Sequence, residues 1–168
     1  MDPKNKESLF RGQKVESRKW VFGFYYEYLN KHYIMTRKGA AVLVDKKTVT
    51  QYIGRLDKEG GKVFMGDVLE YHFKTKTRMR DNKPNKTIKS PGFKRIEIGF
   101  KNGCFCSRTI AQENCYYGEL PGQWESLFCV YLDEFFVKIG DIFDIPELLT
   151  EKSKWNAETA SAEKDGKD

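Results

Sequence analysis

Residues 48–71 read TVTQYIGRLDKEGGKVFMGDVLEY, a stretch that holds a Gly60-Gly61 pair and a Gly66-Asp67 pair. Two readings compete: the rim of a catalytic site, or the turns of a small β-protein. The residues around the glycines favour turns. Tyr52–Leu56 is extended in character, and Asp57–Lys62 is a tight connection, because glycine takes positive φ at little cost. Lys62–Phe64 leads through Gly66-Asp67 into VLEYHF, where Val68, Glu70 and His72 alternate with Leu69, Tyr71 and Phe73. Alternation with period two on both sides of a glycine-rich link describes antiparallel strands. Just upstream, Asp45 is placed to cap a single helical turn by accepting from backbone amides.

The same rhythm continues outward. WVFGFYYEYLNKHYIM puts Trp20, Phe22, Phe24, Tyr26 and Tyr28 on one strand face and Val21, Gly23, Tyr25 and Glu27 on the other. Asn30-Lys31 supplies a turn, Tyr33–Thr36 returns, and AAVLV is a short buried strand. Downstream, FKRIEIGF aligns Ile96, Ile98 and Phe100, and Asn102-Gly103 is a type I′ hairpin signal before CFCSRTI. AQENCYYGELPGQWES is an irregular connection, SLFCVYL and EFFVKIGDIFDI are two further strands, and Pro146–Leu149 is a short helical turn. Helices are few and no βαβ rhythm appears. The expected fold is mainly β, a barrel or strongly bent antiparallel sheets.

One domain suits 168 residues: residues 9–150, with a basic insert at 74–92 and a polar tail at 151–168 that reads as disordered. The insert, KTKTRMRDNKPNKTIKSPG, has few apolar residues and reads as a mobile loop. No apolar run approaches the ~18 residues that cross a bilayer, and the first residues lack a signal-peptide core, so the expectation is a cytoplasmic protein without a membrane partner. Four cysteines, at 104, 106, 115 and 129, read as thiols. A zinc site would need Cys115, His32 or His72 to join Cys104 and Cys106, and buried thiols are the favoured alternative. With no Walker, dinucleotide or metal-ligand pattern, no cofactor is expected.

The order of these residues resembles the YopX-like proteins of phages, prophages and related mobile elements. The likeness is carried by FRG and WVFG, by Thr48-Val49, Gln51-Tyr52, Gly54, Leu56-Asp57, Val63-Phe64 and Gly66-Asp67-Val68, and by IGDIFDIPELL near the end. It covers roughly residues 9–150. Thr50 and Ile53 depart from the residues common in that family, and the basic insert and the tail look particular to this chain. The resemblance implies a mainly β architecture and brings no assigned activity.

For chemistry, Asp67 and Asp141 each follow a glycine at the start of an apolar strand. They would serve as an acid/base or metal-binding pair if they met in a cleft. The favoured reading is that each accepts local backbone N–H groups where a turn meets a strand, as Asp57 does. Ser107 and Ser126 lack a nucleophile elbow, and no catalytic residue is assigned. The net charge of +6 is concentrated between Lys74 and Arg95, where Lys74, Lys76, Arg78, Arg80, Lys83, Lys86, Lys89, Lys94 and Arg95 face one acid, Asp81. The favoured function is a non-enzymatic interaction protein, a homo-oligomer or protein-partner module, with Tyr116, Tyr117 and Trp124 as partner-binding residues. The alternative is nucleic-acid binding through the basic residues, with Trp20–Tyr28 as a stacking platform. The preferred account of those aromatics is core or subunit interface.

Overall fold

The computed structural model describes residues 10–78, 87–113, 122, 124–127 and 130–149, with backbone alone at 75–78 and 87–90. It is mainly β, in two antiparallel sheets. The first takes the order β4-β3-β2-β1-β5-β6, from β1 (Phe10–Gln13), β2 (Trp20–Tyr28), β3 (Lys31–Met35), β4 (Ala41–Leu43), β5 (Thr50–Leu56) and β6 (Lys62–Phe64). The second takes the order β10-β9-β8-β7-β11, from β7 (Asp67–Arg78), β8 (Thr87–Lys101), β9 (Cys104–Glu113), β10 (Trp124–Ser126) and β11 (Val137–Asp141). No closed barrel is found among the described residues. The first sheet curls instead, and a single bridge between Lys14 and Val44 draws β1 towards the end of β4.

Turn chemistry shapes the connections on either side of β5. Asp45 accepts from the Lys47 amide at 3.0 Å and caps the 3-10 turn Lys46–Thr48. Asp57 is buried, and one of its oxygens accepts from the amides of Glu59 at 3.1 Å and Gly61 at 2.6 Å. Its other oxygen takes the Lys138 amide at 3.1 Å, which fastens the β5–β6 turn to β11. Asn102 and Gly103 both have positive φ, the conformation a type I′ hairpin demands.

The main core lies between the sheets: Ile53 and Val63 from the first, Leu69, Ile96 and Ile98 from the second, closed by Leu127, Leu132 and Phe136. Leu69 and Tyr71 face it, while Val68, Glu70 and His72 belong to the opposite face, as the alternation requires. A second, smaller core of Val21, Ile34 and Val44 fills the inside of the curl.

Two expected strands are replaced. SLFCVYL forms no continuous strand: β10 ends at Ser126 and Leu132–Phe135 is a single helical turn, α1. EFFVKIGDIFDI contributes only Val137–Asp141, because Asp141 accepts from the amides of Phe143 and Asp144 and turns the chain. The terminal turn at Pro146–Leu149 is a 3-10 helix.

The expected loop at 74–92 is the largest correction. Lys74–Arg78 and Thr87–Gly92 are paired strands, in register from Lys74 opposite Pro91 to Arg78 opposite Thr87. Charge kept the segment out of a core, but a ladder needs no core when it extends one already nucleated. Thr75, Thr77, Thr87 and Ile88 are β-branched and suit it. Pro91 sits just past the end of β9, where a strand tolerates proline. Residues 79–86, 1–9 and the tail 151–168 lie outside the described residues.

Candidate functional site

The two Gly-Asp doublets do meet. They meet at Arg11, a residue that periodicity gave no reason to notice. β1 places Arg11 in the interior, 3% exposed. Its Nη2 lies 2.7 Å from Asp67 Oδ1, and its Nη1 is 3.9 Å from Asp141 Oδ2. Nε donates to Thr50 Oγ1 at 3.1 Å. The guanidinium is packed between the rings of Trp20, 4.2 Å from the centroid, and Phe64 at 4.9 Å.

Asp67 is fully buried. Its Oδ2 accepts from the Phe64 amide at 2.8 Å and lies 3.7 Å from Lys138 Nζ. Its Oδ1 is in ion-pair contact with Arg11 but has no aligned hydrogen bond. Burial raises its carboxyl pKa above the ordinary value, against the lowering pull of Arg11, Lys138 and the Phe64 amide. Next to this group, Asp144 accepts from Trp20 Nε1 at 2.7 Å and from the Gln13 side chain. The doublet glycines have a steric task. Gly66 has φ +78, and a Cβ there would lie 2.7 Å from Phe143 Cε2. FRG, the first GD and IGDIFD thus form one buried polar junction that ties the start of the described chain to its end. Asp67 and Asp141 accept local amides, as expected, and in addition share a buried cation.

The nine basic positions divide. Arg95 is no surface cation: it is 3% exposed, donates to Glu70 Oε2 at 2.8 Å and reaches the Leu148 carbonyl at 2.9 Å. The turn Pro146–Leu149 covers it, which the sequence interval could not show. Lys94 is half-buried on β8, and Lys74 is exposed at the root of the ribbon. Lys76, Arg78 and Lys89 lie in the ribbon, where the register sets Lys76 directly opposite Lys89. Arg80, Lys83 and Lys86 lie outside the described residues. β9 ends where Glu113 meets Phe93, and β11 where Val137 meets Glu70. From Lys74 to Arg78, on the order of 15 Å at a strand's usual rise, β7 and β8 flank only each other among the described residues.

Of the partner-binding trio, Tyr116 and Tyr117 lie outside the described residues. Trp124 packs flat on the second sheet: a Cβ on Gly99 would collide with its ring, and the Arg108 guanidinium sits 5.1 Å from its centroid. It therefore has a packing role within the second sheet while staying half-buried. The histidines have partners too, His32 with the Tyr25 hydroxyl at 2.7 Å and His72 with Glu70 at 2.7 Å.

The aromatic strand β2 has one face inside and one outside. Val21 and Tyr25 face the small core, while Phe24 is 47% and Tyr28 63% exposed. Near Trp20 the aromatic face is covered by Phe143 and Asp144; towards Tyr28 it is open. Elsewhere a recess of about 330 Å³ is lined by Ile53, Arg55, Phe100, Gly103, Cys104, Phe105 and Leu127. Arg55, its charged group, is engaged with the Leu127 carbonyl at 3.0 Å and Asp133 at 3.2 Å.

A family model described as YopX protein matches residues 6–150 of the chain. No curated protein matches it, and no solved structure does.

Proposed function

We propose that this chain, which belongs to the YopX family, is a non-enzymatic nucleic-acid-binding protein that holds phosphates along the β7–β8 ribbon. One observation carries the reading: four cations of the densest basic run in the sequence, Lys74, Lys76, Arg78 and Lys89, stand on a two-stranded ribbon, with Lys76 directly opposite Lys89. Like charges placed opposite each other across a ladder destabilise it. A polyanion relieves that cost and releases its own counterions on binding. A paired backbone is already ordered, so less ordering entropy is lost on binding than a free loop would lose.

The aspartate pair supports a structural role better than a catalytic one. Asp67 is inaccessible, and both carboxylates are committed to Arg11 and to backbone amides. The phage or mobile-element setting implied by the family resemblance is part of the same proposal, since such elements replicate and package nucleic acid.

The test is fluorescence anisotropy with labelled oligonucleotides at low and near-physiological salt, for the wild type and for a variant with Lys74, Lys76, Arg78 and Lys89 changed to Gln. The expected result is micromolar binding that falls steeply with salt and a shallower salt slope for the variant, by about one unit for each phosphate that is no longer neutralised. Equal affinity and slope for the two proteins would overturn the reading.

A further inference from the structure

We infer that the open aromatic face of β2, β3 and β4 is a base-stacking platform, which directs the protein to single-stranded nucleic acid. This rests on the nucleic-acid reading above but on a different part of the molecule.

The face is defined by register. Phe24, Tyr26 and Tyr28 alternate along β2, and the ladder sets Met35 opposite Phe24, Tyr33 opposite Tyr26 and Lys31 opposite Tyr28. β4 adds Leu43 opposite Tyr33. Tyr26 and Tyr33 already stack on each other, with centroids 5.3 Å apart and planes 15° from parallel. Phe24, Tyr28 and Leu43 are exposed. The core of this sheet is complete without them, because Val21, Ile34 and Val44 fill its inner side. These rings are therefore surplus to folding.

Charge chooses the occupant. No carboxylate belongs to this face of β2, β3 or β4: Glu27 alternates onto the inner side, and the charged residue on the face is Lys31. A surface of aromatic rings free of carboxylates and edged by the Lys31 cation matches unpaired bases joined by phosphates. Every base has a π-face, so stacking tolerates any sequence. A duplex hides those faces, which is why the platform selects single strands. Alternate residues on a strand lie about 6.7 Å apart, so Phe24 and Tyr28 reach separate bases with the Tyr26–Tyr33 pair between them.

The experiment compares one labelled single strand, the same strand paired in a duplex, and the same strand carrying abasic sites. Each is titrated into the wild type, the ribbon variant, and a Phe24→Ala/Tyr28→Ala variant confirmed as folded by its thermal melt. The expected result is tighter binding of the single strand than of the duplex or the abasic strand, with the aromatic variant losing about tenfold or more on the single strand and nothing on the duplex. If the aromatic variant matches the wild type while the ribbon variant loses affinity, the platform is overturned and ribbon binding stands. If the ribbon variant keeps its affinity and the aromatic variant loses it, the ribbon reading fails and the platform stands. No binding by the wild type overturns both. Light scattering on the same samples adds a last outcome: a wild-type dimer that Phe24→Ala/Tyr28→Ala makes monomeric, without change in oligonucleotide affinity, gives the face to a second copy and overturns the inference.

Discussion

Arg11 decides most at the scale of single residues. A buried ion pair adds little net stability when both charges are present, but removing one partner leaves the other uncompensated. Arg11→Met should therefore cost about 3–5 kcal/mol in denaturant unfolding, and Arg11→Met with Asp67→Leu should recover part of it; a single variant as stable as the wild type would deny the junction its role. Asp67 makes a separate, pH-dependent prediction. Burial, opposed by Arg11 and Lys138, lifts its carboxyl above the ordinary 3.8. Across the interval between the ordinary and the raised value, the folded chain holds more protons than the unfolded one. The stabilising effect of this group is thus fully present below the ordinary value and is lost as pH rises through the raised one. Asp67→Asn has no such slope, so its Tm relative to wild type should improve as pH climbs from about 3.5 to 7. A gap that stays constant in pH would count against the raised carboxyl. The thiols divide in the same way: burial first, and then Cys104 beside it, raise Cys106 above the ordinary thiol value, while Cys104 is exposed. Alkylation of native protein followed by peptide mass mapping should find Cys104 modified well before Cys106.

For strands, alternation in the sequence was a sound guide to who faces whom and a poor guide to which side is wet. β2 shows why. Both of its faces carry apolar rings, and the inner one is chosen by curvature: Gly23 lets the neighbouring strand close in, since a Cβ there would sit 2.7 Å from the Met35 carbonyl carbon and 2.9 Å from Ile34 Cγ2. No local pattern records that approach. Gly23→Ala should destabilise the fold by about 1–3 kcal/mol, seen as a lower denaturant midpoint, whereas Phe24→Ala on the open side should change it by less than about 1 kcal/mol. The ribbon was misread for a related reason. Composition reports whether a segment can build a core, and Lys74–Arg78 builds none; it extends a ladder begun by Val68 and Leu69, whose side chains are fully buried. The turns at Asp45, Asp57 and Asn102-Gly103 were legible because amides or positive φ within a few residues set them, whereas the turn at Asp141 lay hidden inside an apolar run.

Across the whole molecule, the junction at Arg11 could not be read from spacing, because its members stand 56 and 130 positions apart in the chain. Two Gly-Asp doublets hinted at a shared purpose and the FRG motif carried Arg11, but no spacing or periodicity linked the three. A fragment ending at residue 135 should consequently lack cooperative unfolding and show weakened near-ultraviolet circular dichroism, whereas one ending at 150 should melt as the full chain does. A cooperative melt from the shorter fragment would show that β11 is dispensable.

The tie between β1 and the turn after β11 also sets a clock. During synthesis the first strand emerges early, yet Arg11 must wait for Asp141, and Gln13 and Trp20 for Asp144, until nearly all of the folded region has left the ribosome. Until then the half-made protein carries an unmatched charge and an open aromatic flank. Its period of greatest vulnerability is the interval between the synthesis of β1 and that of the turn after β11, and a chaperone that shelters nascent chains would meet it there.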